Sequence, residues 1–376
     1  MKIVLSYSGG TSRGIELARE FERLGYLSDF YIPKYNQRDI RNIRRSYLVL
    51  LLRAILWKSR GIRRAKPTER YWMCEAHDRW VAGSLRKGAD ILMAEGQIAL
   101  HTMRKAKRMG MVTVIDRTNS HIAHQSEIWN EENEKTGIRW EPNSARVIRK
   151  GILEYDEADY TFVLSSFVAE TFLNRGYPKE KLVHVLPGID LTPFRPVEKR
   201  DSIFRVIFCG RPSVKKGTHY LLKAFCELNL ENSELLLIGS LSDEMRPILE
   251  KYPGNYKAVG QINRSELYKY YSQGSVFVLP SLEEGLAKVT IEAMACGLPV
   301  VATANSGAGD VVREGVDGFI VPIRNIDALK EKILYMYENR DLCRSMGRNA
   351  IERVHAEFTL EKYLDRMLAA LKRILP

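Results

Sequence analysis

The chain has 376 residues, 45% of them hydrophobic and 28% charged, with a net charge of +12. That composition excludes a disordered, collagenous or coiled-coil protein, and the length predicts two domains that each bury a core. The positive balance suits nucleic acid, anionic lipid or a phosphate-bearing ligand, without choosing among them.

Cys74, Cys209, Cys226, Cys296 and Cys343 show no C-x-x-C spacing and read as reduced thiols of a cytoplasmic compartment. No apolar run reaches the roughly 18 residues of a membrane span, and the opening apolar stretch is too short for a signal peptide.

In chain order, the first half predicts strand Lys2–Tyr7, helix Thr11–Leu24 and strand Asp29–Ile32, then short apolar runs at Ile91–Ala94 and Met111–Ile115. Helix Ala145–Tyr155, strand Tyr160–Leu164, a helix from Phe167 to Arg175 capped by Ser165-Ser166, and strand Lys181–Leu186 follow. Three prolines in Leu186–Pro196 mark a linker. The second half predicts strands Phe204–Cys209, Glu234–Ile238, Tyr256–Val259, Val276–Leu279 and Pro299–Ala302. Helices Gly217–Leu228, Asp243–Lys251, Ser265–Gln273 and Val289–Cys296 alternate with them, and helices Ile326–Glu338, Asp341–Glu357 and the amphipathic Leu360–Leu375 close the chain. Such alternation implies parallel sheets covered on both faces. The expected divisions are 1–190, 191–357 and a terminal helix, 358–376. A ligand cleft is expected at the carboxyl ends of the strands.

The charge is unevenly spread. Lys34–Arg70 contains twelve Lys or Arg against Asp39 and Glu69. In its middle, Tyr47–Trp57 is apolar, too short to span a bilayer, and carries Arg53. A helix of this kind can lie in the headgroup layer, which predicts contact with an anionic membrane surface through 34–70. The bland alternative is a core helix with a solvated basic face. No nucleic-acid motif or stacking platform appears, so nucleic acid is not expected as a partner.

Two blocks carry chemistry. In Leu279–Ala302 a strand meets a loop at Gly285, then a helix, Gly297 and a second strand. The backbone N–H groups of Leu286 to Val289 open that helix, a place where phosphate binds. Glu284 precedes the helix and Glu292 lies inside it, seven residues between them. Carboxylates there suit sugar hydroxyls better than phosphate. In Phe208–Gly217 a strand ends in a Gly turn followed by Arg211 and Lys216, a fork and a point charge able to neutralise a diphosphate.

These blocks, in this order, resemble the retaining glycosyltransferases of family 4 (group 1), with the GT-B fold. The resemblance is strong over Phe204–Pro322 and weaker before Leu186. It implies two Rossmann-like domains with parallel sheets facing across a cleft, and a C-terminal helix that can cross back to the first domain. It implies that Glu284 holds donor-sugar hydroxyls, Glu292 the ribose, and Arg211 and Lys216 the diphosphate. Backbone at Leu286, Ala287 and Lys288 would touch phosphate or sugar, and the turn at Gly260-Gln261-Ile262 would meet the nucleobase. Gly9 and Gly10, after the first strand, would contact the ligand, and His121 would face the donor sugar. The sequence departs from the common E-G-F-G pattern at Leu286 and Ala287, and Asp310 stands where many members have Glu.

The implied reaction moves a sugar, with retention, from a UDP- or GDP-sugar to a hydroxyl of a glycan or lipid-linked acceptor. It serves cell-surface polysaccharide or glycolipid assembly from the cytoplasmic face of the membrane, and needs no cofactor. A nucleotide-sugar epimerase or hydrolase of the same fold, a sugar-phosphate synthase of central metabolism and a non-catalytic lipid- or glycan-binding module remain as alternatives. His121 and His124 lack the companions of a metal site, so none is expected. Asp116 and Arg117 are expected to pair, and Glu127, Glu131, Glu132 and Glu134 to form a solvated helix face.

Overall fold

The structure is a computed structural model that describes residues 1–9, 12–33, 39–46, 49–51, 67–138 and 143–376. Most of the basic segment, including Arg53 and Trp57, and Gly10 fall outside the described residues.

Two parallel sheets form from strands that are nearly all apolar, as sheets covered on both faces require. The first contains β1 (Ile3–Ser6), β2 (Leu27–Tyr31), β3 (Ile43–Arg44), β4 (Ile91–Glu95), β5 (Val112–Arg117), β6 (Tyr160–Val163) and β7 (Leu182–His184), in the order β3-β2-β1-β4-β5-β6-β7. The second contains β8 (Phe204–Cys209), β9 (Ser233–Ile238), β10 (Tyr256–Gly260), β11 (Val276–Leu279), β12 (Val300–Thr303) and β13 (Gly318–Val321), in the order β10-β9-β8-β11-β12-β13. Both orders reverse direction beside the first strand of their sheet. That reversal is where open α/β sheets leave a crevice at the carboxyl ends of the strands.

The terminal helix Leu360–Arg373 crosses back. Its Tyr363, Leu364, Met367 and Leu371 pack with Ile3, Leu5, Leu17 and Phe21 in the first domain's core. The crossing point is a backbone contact: the Ile189 N–H donates to the Phe358 carbonyl at 2.9 Å. A Cβ on Gly188 would lie 2.1 Å from the Thr359 carbonyl oxygen, so only glycine fits.

Asp116, at the end of β5, does not pair with its neighbour Arg117. It accepts two bonds from Arg13, at 2.8 and 3.0 Å, and one from the Tyr7 hydroxyl at 2.6 Å. Arg117 instead donates to the Ser120 carbonyl. Adjacent residues on a strand point to opposite faces, which is why the expected Asp116–Arg117 pair does not form. Arg13 also stacks on the Tyr363 ring, 5.0 Å from its centroid, so the crossing helix reaches the carboxyl end of the first sheet.

Met367 is fully buried. Met367→Ala is expected to lower stability by about 2–5 kcal/mol, read as a fall in the denaturant midpoint of the first domain's transition.

Candidate functional site

The two chemical blocks meet. Gly217 has φ +62°, and a Cβ there would stand 1.9 Å from the Pro280 carbonyl oxygen. The Leu282 N–H donates to the Lys215 carbonyl at 3.2 Å. These backbone contacts press the loop after β8 against the loop after β11. They bring Lys216 Nζ into an ion pair with Glu284 Oε1. Burial lowers the Lys216 ammonium to about 8, against the opposing pull of Glu283. The Lys216 and Glu284 side chains keep 29% and 18% exposure, so both remain open to a ligand.

Arg211 follows the end of β8 and is exposed. Glu292, in the helix Lys288–Ala295, is buried and accepts from Arg264 Nε at 3.1 Å and from the Tyr271 hydroxyl at 3.3 Å. Burial pushes its carboxyl up. Leu286 and Ala287 are buried where the chain enters that helix, and no side chain caps its N-terminus. Lys288 pairs across the crevice with Glu16 at 2.7 Å. Ile262 packs partly against the second core, just beyond the left-handed Gly260.

In the first domain, Gly9 is exposed with φ +86°. The turn before it is held by the Ser8 N–H and hydroxyl, both donating to Glu95 at 2.8 and 2.6 Å. His121 opens the helix that follows β5. Its ring packs against Tyr155 and Phe172, with centroids 5.2 and 4.9 Å apart, and its Nδ1 accepts from the Ala123 N–H. Burial, reinforced by Arg175, lowers its pKa to about 3, so the ring is neutral. His121 thus caps the helix Ile122–Thr136 through its ring nitrogen.

Two acids were not singled out as site residues by sequence. Glu283, next to Glu284, is buried and accepts from the Ser120 N–H and from Gln125 Nε2, both at 2.8 Å. Glu132 belongs to the run expected to be solvated, yet it is fully buried and bonded to residues of the second domain. Both were hidden by the same cause. A carboxylate is normally exposed, and only the facing domain supplies the donors that allow these two to be buried. Asp310 also joins the domains, accepting from the Ser166 N–H and hydroxyl at 2.6 and 2.7 Å.

Elsewhere, Glu75, Asp78 and His101 converge within 4.8 Å. Lys150 Nζ stands 2.8 and 2.7 Å from Glu75 and Asp78 and supplies the positive charge of that cluster.

Gly285 closes the seam between the domains: a Cβ there would lie 1.7 Å from the Thr118 carbonyl oxygen. Gly285→Ala is expected to push the Glu284 loop off the first domain. Displacements near 1 Å cost about a hundredfold in rate. A raised radius of gyration in solution scattering, with the melting temperature of each domain preserved, would mark the effect as positional.

Residues 193–353 match the family described as glycosyl transferases group 1. The putative colanic acid biosynthesis glycosyltransferase WcaL of Escherichia coli K12 is 26% identical over 334 residues, which cover 85% of this chain and 78% of that protein. The capsular polysaccharide biosynthesis glycosyltransferase CapM of Staphylococcus aureus is 34% identical over 161 residues, 42% of each chain. Among solved structures, sucrose-phosphate synthase from Thermosynechococcus elongatus superimposes with a TM-score of 0.77 at 19% identity, covering 100% of this chain and 99% of that one. Anabaena HepE in complex with UDP-glucose superimposes with a TM-score of 0.70 at 16% identity, covering both chains completely. The chain has the GT-B fold.

Proposed function

We propose that the chain transfers a sugar from a nucleoside-diphosphate donor to a hydroxyl of a glycan or lipid-linked acceptor, with retention, in surface polysaccharide assembly. The observation that carries this reading is the Lys216–Glu284 pair at the carboxyl ends of β8 and β11, beside an uncapped helix start. The likeness to WcaL and CapM supports the polysaccharide context.

In this reading the donor diphosphate draws Lys216 from Glu284 and lies against the N–H groups of Leu286–Lys288, with Arg211 closing on it from solvent. Glu284, released, accepts from sugar hydroxyls. Negative charge grows on the diphosphate as the glycosidic bond breaks, and a fixed ammonium and fixed N–H dipoles stabilise that charge more than they stabilise the ground state. The acceptor hydroxyl attacks from the leaving-group side, and its proton passes to the departing phosphate oxygen. Glu292 needs Arg264 to turn away before it can accept from a ribose.

The acceptor side is read as membrane-facing. The basic segment 34–70 supports this, as do Leu51 and Trp72, large apolar side chains each 57% exposed at its described margins. Among the described residues no helix is long and apolar enough to cross a membrane, so the contact would be peripheral.

Incubation with a panel of UDP- and GDP-sugars, with and without acceptor glycans, is expected to release nucleoside diphosphate only when both substrates are present. Rapid donor turnover without acceptor would favour the epimerase or hydrolase alternative. Lys216→Ala and Glu284→Ala should each lower kcat about 10²- to 10³-fold, the loss typical of a charge-stabilising group. Full transfer by both variants would refute the site.

The pH dependence follows from burial of Lys216. Its ammonium is present below about 8 and lost above it, so kcat/KM should fall as pH rises through that value. Lys216→Arg, which keeps its charge, should be slower but lack this alkaline limb.

Replacing Arg60, Arg63 and Arg64 by Gln removes three cations, each contributing about 1 kcal/mol near an anionic leaflet. The partition coefficient on phosphatidylserine-containing liposomes, read by flotation, should then fall about a hundredfold. Undiminished flotation would overturn the membrane reading.

A further inference from the structure

The helix Ile122–Thr136 belongs to the first domain, yet one of its faces is buried against the second. The segment's start engages Glu283 through the Ser120 N–H and Gln125. Four residues further, the Trp129 ring lies 3.4 Å from Lys215 Nζ, centroid to nitrogen. Next comes Glu132, which takes His219 Nε2 and the Tyr220 hydroxyl at 2.9 Å and Arg324 Nε at 2.7 Å. Positions 125, 129 and 132 follow the i, i+4, i+7 spacing of a single helical stripe.

What that stripe touches is specific. Glu283 adjoins Glu284. Lys215 adjoins Lys216. His219 and Tyr220 open the helix Thr218–Leu228 that continues the same loop. A buried carboxylate is tolerated only with full pairing, so Glu132 fixes its partners firmly. Among the described residues the Trp129 indole N–H has no acceptor, which leaves the ring face as its hold on the loop, through a cation–π contact.

We propose that Trp129 and Glu132 are positioning residues: seated together, they lock the loop that carries Lys216, so the diphosphate clamp is complete only while the first domain's helix is docked. The proposal rests on the reading of Lys216 as a diphosphate ligand. It ties domain closure to the final hold on that loop, because the contacts that close the crevice add to the backbone contacts that already seat it against Pro280 and Leu282. When the crevice opens, Lys215 leaves the indole ring and the loop is free to release the diphosphate product.

The test uses the full chain and the nucleotide sugar that it turns over fastest. Trp129→Ala and Glu132→Gln should each lower kcat about tenfold, with donor KM changed less than threefold, the pattern of an interaction used in the transition state. Trp129→Phe, which keeps a ring face, should recover at least half of kcat. Lys215→Met should match Trp129→Ala, and the double variant should be no slower than either single one, since both act through one contact. Unchanged kcat in Trp129→Ala and Glu132→Gln would overturn the proposal, and so would a double variant slowed about a hundredfold. If Trp129→Ala melts below assay temperature, Lys215→Met decides alone. Lys216→Ala with full transfer would instead sink the donor-site reading, so the two failures are distinguishable.

Discussion

The arrangement of the molecule depends on a backbone-to-backbone approach at Gly285. With no side chain there, the motif loop reaches the Thr118 carbonyl, and Ser165 Oγ can donate to the Gly285 carbonyl at 2.6 Å. A methyl group at this position would separate the loops. The inter-domain bonds of Glu283, Asp310 and Glu132 all require the separation that this contact sets. Close packing of two loops is thus what permits several charged groups to be buried between domains, each with its own donors, rather than left at the cost of unpaired charge.

That burial has an electrostatic consequence for the site. Lys216 lies beside two carboxylates, Glu283 and Glu284, but in surroundings that disfavour its charged form. Glu283 cannot answer it fully, because its oxygens are engaged by Ser120 and Gln125. Its ion-pair partner is Glu284, and in the proposed function a diphosphate would take that partner's place. Pre-placed, poorly screened charge of this kind acts strongly on charge that develops nearby.

Much of this was legible in the sequence, and the boundary of legibility is physical. Unbroken apolar runs such as Phe204–Cys209 and Val276–Leu279 announced parallel strands, and the spacing of Glu284, Glu292, Arg211 and Lys216 announced the second domain's loops. The helix Pro67–Ser84 escaped because its apolar and polar residues show no one-sided pattern, being contacted on several sides. The two-residue β3 is too short for any periodicity to declare itself. Glu132 and Glu283 could not be placed from local sequence, since the partners that neutralise them come from residues at least 87 positions away. The ring partners of His121 were equally out of local reach, since Tyr155 and Phe172 come from two later helices.

The returning helix Leu360–Arg373 has a consequence for biosynthesis. As the polypeptide emerges from the ribosome, residues 204–321 can complete their sheet while the N-terminal sheet still lacks the cover that Tyr363, Met367 and Leu371 provide. The half translated first is therefore finished last, and its apolar surface stays open to chaperones until the returning helix has emerged and docked.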